Sequence, residues 1–360
     1  MTSAERLDMA TIWSDVHRLH VPGGEVWVGV RIEGTDVPKR ADAIRDAVAA
    51  AGSPLVEATP HDDSVLAEIH DRALLDYMAS IWGEWEASGY LEDPGQDRVV
   101  PYAFPIPGVV ATNRVPWSPG AKAGWFAMDT TTLIGPGTHR AAIAAVDTAL
   151  TAVDVVTEGA PGAYALCRPP GHHAGRSFYG GSCYLNSAAA AAAALARVAG
   201  PVAIVDIDAH HGNGTQHIFY ERGDVFYGSV HVDPAAGWFP HFAGFSTEAG
   251  VGDGAGANHN FPVPPGSADD VWLAAVERIC LAAESHRPAA VVVSLGVDAA
   301  VDDPESPLRI TGDGYRRAGA MISGLGVPTV FVQEGGYHLE TLGGLVVGTL
   351  AGYESGRGGS

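Results

Sequence analysis

Cysteine is scarce in this 360-residue sequence: Cys167, Cys183 and Cys280 are an odd and widely spaced set. Neither a disulfide framework nor a zinc ribbon fits that spacing, and a reducing compartment is the expectation. Basic charge is also short, with 21 Lys and Arg against 42 Asp and Glu, a formal net charge of −21. That balance argues against nucleic acid or an anionic membrane as partner and suits a cationic ligand. Long apolar runs are missing too. The opening MTSAERLDMA carries acidic residues and no hydrophobic stretch, so it does not read as a signal peptide. No segment approaches the roughly 18 apolar residues of a membrane span. A cytoplasmic protein is expected.

What is present is a globular composition, 46% hydrophobic and 18% charged, able to bury a large core. Near the N-terminus the pattern predicts a strand or an extended entry segment over 25–32, a helix opening at Pro38, a short strand at Leu55-Val56 and helices across 62–85. From residue 93 to 120, prolines at 94, 101, 105, 107, 116 and 119 exclude regular structure. The same stretch holds Val99, Val100, Tyr102, Phe104 and Ile106, which makes it a packed loop rather than a linker. Helix and strand then alternate: helices over 138–156, 187–198, 214–222, 268–285, 312–323 and 340–350, and strands over 163–167, 201–207, 224–231, 289–295 and 328–333. Such alternation predicts an α/β fold, a mostly parallel sheet covered on both faces, in one domain spanning 1–360. Residues 354–360 read as a frayed tail.

Residues 203–214, AIVDIDAHHGNG, organise the rest. An apolar run leads into Asp206, Asp208 and His210, which share one side if the strand continues. Carboxylates at the end of a buried strand are costly unless something pairs with them, and a divalent metal would. Three other clusters also fall at strand ends: Gly171-His172-His173-Ala174, the VVVSLGVD run ending at Asp298, and VFVQEGGY ending at Tyr337. Paired histidines alone are weak evidence. Two carboxylates with one histidine, however, make a three-ligand site with a position left for water, as in catalytic metal centres.

RPPGHHA, DIDAHHGNGTQ, SLGVD followed by DDPESPLRIT, and QEGGY together resemble the arginase–deacetylase superfamily, on its histone-deacetylase side. GNGTQ, KAGWFAMDTTTLIGPGT and HRLHVPGG are similar to the bacterial acetylpolyamine amidohydrolases. The resemblance implies a three-layer α/β/α fold around an eight-stranded sheet and metal-dependent removal of an acetyl group from an acetylated amine. Asp208, His210 and Asp298 match the metal ligands, for zinc with iron or manganese as alternatives. His173 matches the general base and His172 its electrostatic partner and possible acid. Asp206 stands behind His172, and Asn213 stands behind His173 where many members carry aspartate; losing that charge makes His173 less basic. Tyr337 matches the donor to the substrate carbonyl. A structural potassium would use Asp206, Asp208, His210, Ser229 and Val230.

For substrate, Phe239 matches an aromatic wall, and Ser182, next to Gly181, replaces a usual aromatic. Glu305 matches a glutamate that selects polyamines. The resemblance thus implies a small cationic acetylated substrate, with the 93–120 segment as a rim loop that contributes to a homodimer. Protein acetyl-lysine and other acetylated metabolites stay open as substrates. A two-manganese ureohydrolase would need further carboxylates where this chain has Gly212 and Gly296. An inactive binding protein would lack a ligand or catalytic residue, and none is missing.

Overall fold

The computed structural model describes residues 6–106 and 114–357. The chain opens with β1 (Ala10–Trp13), a hairpin of β2 (Glu25–Trp27) and β3 (Val30–Ile32), helix α1 (Lys39–Ala50) and β4 (Leu55–Glu57). Helices α2 (Leu66–Ile69), α3 (Arg72–Ala87), α4 (Pro119–Phe126) and α5 (Thr138–Thr157) precede β5 (Gly162–Ala165). There follow α6 (Ser187–Ala199), β6 (Val202–Asp206), α7 (Asn213–Phe219), β7 (Val225–Val232) and β8 (Asn258–Val263). The chain closes with α8 (Asp269–His286), β9 (Ala290–Leu295), α9 (Gly312–Ser323), β10 (Thr329–Gln333) and α10 (Leu339–Arg357).

Eight strands form one sheet in the order β4-β1-β5-β10-β9-β6-β7-β8. Every pairing in it is parallel, so the sheet is parallel throughout rather than mostly. The pleat sends successive residues to opposite faces. On β9, Val292 packs into the core under α3, α5 and α6, while Val291 and Val293 pack into the core under α1, α8, α9 and α10. Alanines 188–193 on α6 are all fully buried, which lets that helix lie close against the strands.

Three readings need correction, and two strands had not been predicted. The segment over 25–32 is a hairpin paired only with itself, outside the main sheet. Helix α4 begins inside the 93–120 stretch, because Pro119 sits in its first turn, where a missing N–H costs nothing; residues 107–113 of that stretch lie outside the described residues. The C-terminal helix runs to Arg357, and Glu354 accepts the backbone N–H of Asp8 and Met9 instead of fraying. Strands β1 and β8 had no clear signal. Among the described residues, no helix is long and apolar enough to cross a membrane.

Candidate active site

Four adjacent central strands, β5, β10, β9 and β6, end on one side of the sheet, where parallel α/β folds keep their ligand sites. Strand β6 stops at Asp206, so Asp208 and His210 lie on a turn and not on a continuing strand. The carboxylates themselves make that turn. Asp206 Oδ1 accepts the N–H of Asp208 at 3.2 Å, and Asp208 Oδ1 that of His210 at 2.9 Å.

Asp298, from the loop after β9, completes a cluster. His210 Nδ1 lies 3.2 Å from Asp208 Oδ1 and 3.1 Å from Asp298 Oδ2. One ligand atom from each of the three residues falls within 4.8 Å of the others. Both carboxylates are fully buried, and one imidazole can balance only one of them. A divalent cation would neutralise the pair, and the one-nitrogen, two-oxygen donor set fits it. The second oxygen of each carboxylate is held by backbone: Gly335 N–H donates to Asp208 Oδ2 and Ala209 N–H to Asp298 Oδ1, both at 2.8 Å. Burial and the neighbouring Asp208 charge push Asp298 up to about 7. A Cβ at Gly296 would sit 2.0 Å from Asp208 Oδ2, and one at Gly212 2.4 Å from Asp206 Oδ2. No side chain fits where a second ion would need its carboxylates, which sets the ureohydrolase alternative aside.

The tandem histidines follow β5. His172 Nδ1 lies 3.2 Å from Asp206 Oδ2, and its Nε2 3.8 Å from Asp208 Oδ1. His173 Nδ1 lies 2.7 Å from Asn213 Oδ1, so Nδ1 carries the hydrogen and Nε2 is left to accept a proton. The two rings are 4.0 Å apart, yet their basicities diverge. Burial works against charge on His172, but Asp208 and Asp206 outweigh it and raise the group to about 10. Burial, with His172 and His210 nearby, holds His173 well below its usual value. One ring holds a proton and the other is free to take one.

Tyr337 is half-buried with its phenol kept protonated, burial outweighing the Arg40 guanidinium 4.5 Å over its ring. Sequence reasoning missed the residues that hold it. Arg40 donates to the carbonyls of Gly336 and Glu334 and to Asp36 Oδ1, the last two at 2.7 Å. Arg168 meets the same Asp36 oxygen at 2.9 Å, making a fully buried Arg–Asp–Arg group. Asp303 accepts from the N–H groups of Tyr337 and Glu305. Glu334, fully buried, is pushed up to about 7 by burial. QEGGY was visible as a motif, but nothing marked its glutamate.

Of the substrate candidates, Phe239 stands edge-on to His173, ring centroids 4.9 Å apart at 89°. Gly181 lies between them: its Cβ would fall 2.4 Å from His173 Cδ2, and its φ of +55° favours glycine anyway. Ser182 is half-buried, its N–H donating to Thr132 Oγ1. Glu305 is half-buried, and Glu25, another residue missed, is raised to about 7 by burial and then by Glu305. A second carboxylate therefore stands near the first. For the potassium candidates, Asp206 and Ser229 are register partners on β6 and β7, and with Asp208 and Val230 they are fully buried.

A model of the histone deacetylase domain matches residues 35–352. The chain is similar to acetylpolyamine amidohydrolase 1 of Pseudomonas aeruginosa, 41% identical over 349 residues, covering 96% of this chain and 99% of the relative. It is similar to the acetylpolyamine amidohydrolase of Mycoplana ramosa, 38% identical over 96% of this chain and 99% of that one. In structure it resembles an acetylpolyamine aminohydrolase from Burkholderia pseudomallei, with a TM-score of 0.90 and 38% identity over 98% of this chain and 99% of the other.

Proposed function

The chain belongs to the histone deacetylase family and is a hydrolytic deacetylase; from that premise we propose that it deacetylates an acetylpolyamine or a similar small cationic amine. The observation that carries this is nearly full-length likeness to acetylpolyamine amidohydrolases together with an intact catalytic set. Glu305 and Glu25 support the cationic side of the reading. Asp208, His210 and Asp298 would hold the metal, which we take to be zinc; iron or manganese would suit the same donors. When bound, such an ion polarises the acetamide carbonyl and lowers the pKa of a water. His173 Nε2 takes the proton from the attacking water, and Asn213 keeps the ring oriented. Tyr337 donates its hydroxyl to the carbonyl oxygen as charge develops there. His172, held protonated by Asp206 and Asp208, favours that charge and can return a proton to the leaving amine. Each part is needed because an amide is a poor electrophile and an amine anion a very poor leaving group.

Potassium beside Asp206, Asp208 and Ser229 belongs to the same reading, since those buried groups offer oxygen donors. So does a homodimer. The Arg31–Asp97 ion pair ties the hairpin to the rim segment, and both expose large apolar groups, including Trp27, Tyr102, Ile106 and Trp117. Free thiols at Cys167, Cys183 and Cys280 suit the cytoplasm. The decisive experiment compares kcat/KM on acetylputrescine and acetylspermidine with that on acetyl-lysine peptides. A preference for the peptides overturns the polyamine substrate and leaves the deacetylase.

A further inference from the structure

We propose that Glu334 is a positioning residue that locks the tandem-histidine loop to the end of β10, and so aligns His172 and His173 with Tyr337. The loop leaves β5 through Arg168, Pro169 and Pro170, and prolines have no N–H to offer. Its next two amides, Gly171 and His172, both donate to Glu334 Oε2, at 2.7 and 3.1 Å. The loop is therefore anchored through the first backbone donors after its two prolines, by a residue that follows β10. The carboxylate, a ring nitrogen of His172 and Cys183 Sγ also lie within 4.8 Å of one another.

The same short segment reaches the rest of the site. The Glu334 carbonyl accepts from Arg40, Gly335 N–H donates to Asp208 Oδ2, and the Gly336 carbonyl accepts from Arg40 again. Tyr337 comes next. Residues 334–337 thus join the elements that carry the histidines, Asp208 and the phenol, and the Glu334 carboxylate supplies the link to the histidine loop, through main-chain N–H groups that leave the imidazoles free. A buried carboxylate is unfavourable without such donors, and charge-assisted bonds to N–H groups are about twice as strong as neutral ones. Its other oxygen, Oε1, is buried with no hydrogen-bond partner among the described residues. That carboxylate stays buried because the loop requires it. Small displacements of a base or a donor are costly in rate, about 10²-fold for 1 Å.

The inference rests on the hydrolytic reading of the site, but not on which acetylated amine is the substrate. Glu334→Ala and Glu334→Gln would be assayed on acetylputrescine and on an acetyl-lysine peptide, with divalent-metal content measured alongside. Glu334→Ala should lower kcat at least thirtyfold on whichever substrate the native enzyme turns over, with KM and metal content nearly unchanged. Glu334→Gln keeps a carbonyl acceptor but loses the charge, and should lower kcat about three- to tenfold. Amide exchange at Gly171 and His172 should accelerate at least tenfold in the alanine variant and less in the glutamine variant, while β10 stays protected. Should the alanine variant not fold, an unchanged kcat and unchanged exchange in Glu334→Gln overturn the proposal. So does an alanine variant within threefold of native kcat, or a loss confined to one substrate. A native enzyme inactive on both substrates would defeat the acetylpolyamine and acetyl-lysine substrates instead, and the exchange measurement would still decide the role of Glu334.

Discussion

Asp303 accepts the backbone N–H of Tyr337 at 2.6 Å, and its other oxygen accepts that of Glu305 at 3.0 Å. The residue assigned to substrate choice and the residue assigned to the carbonyl therefore hang on one carboxylate. Their effects can still be separated. Asp303→Ala should lower kcat about 10- to 100-fold on every substrate, because the phenol loses its tether. Glu305→Leu should lose about tenfold in kcat/KM on acetylputrescine and little on a neutral acetamide, since a half-exposed carboxylate contributes modestly. Equal losses on both substrates in Glu305→Leu would make Glu305 a support for the Asp303 loop.

Tyr337→Phe removes one donor to the developing oxyanion and nothing from the metal cluster. The expected loss in kcat is on the order of 10²–10³, with metal content unchanged. Turnover near the native rate would make Tyr337 a packing residue.

Metal analysis should find one divalent ion per chain and its loss in Asp298→Ala, which removes one of two facing carboxylates. Gly296→Ala should also lose metal, because its Cβ would press on Asp208 Oδ2. Two ions per chain, or a metal-loaded Asp298→Ala, would sink the assignment.

His70 braces the histidine loop from the other side: its Nδ1 lies 2.8 Å from the Gly175 carbonyl, and its Nε2 accepts the Asn186 N–H at 3.0 Å. Burial lowers it from 6.5 to about 4. Between those values the unfolded chain binds the proton more tightly, so this contribution is complete above pH 6.5 and is lost as pH falls toward 4. The whole shift corresponds to up to about 3 kcal/mol. Relative to native protein, His70→Gln should be less stable at pH 7.5 by about 1–2 kcal/mol, the net worth of its two hydrogen bonds. That gap should close or reverse by pH 4.5 in denaturant titrations. A gap independent of pH would show that His70 is not held neutral.

Sedimentation should give a dimer, and Trp117→Glu, which puts a charge on the most exposed of the rim aromatics, should shift it toward monomer. A native monomer at micromolar concentration would exclude the dimer.

The site was legible where short apolar runs end abruptly in histidine, carboxylate or tyrosine, because buried strands do not otherwise carry such groups. The central strands were readable for the same reason. Strand β8, Asn-His-Asn-Phe-Pro-Val, was not: it is a sheet edge, where polar residues and even Pro262 are tolerated. Strand β1 has only four residues and little pattern. Arg40 was hidden because a basic residue in the first turn of a helix reads as solvent-facing, and the two carbonyls it holds lie nearly 300 positions away. Asp36, Asp303 and Glu334 were hidden likewise, since what a carboxylate holds in the folded chain is a matter of distance in space.

Strand β10 sits between β5 and β9 and is the last strand of the sheet in sequence order. During synthesis, the ribosome releases β4, β1 and β5, then β6 to β9, before the strand that joins the two halves exists. Until residues 329–333 emerge, β5 and β9 each present an unpaired inner edge, open to pairing with other chains. A nascent chain halted before that point lacks both the strand that pairs with β5 and β9 and the tyrosine that follows it. Late closure leaves two sheet edges open in the nascent chain, and the catalytic tyrosine arrives only after the strand that closes them.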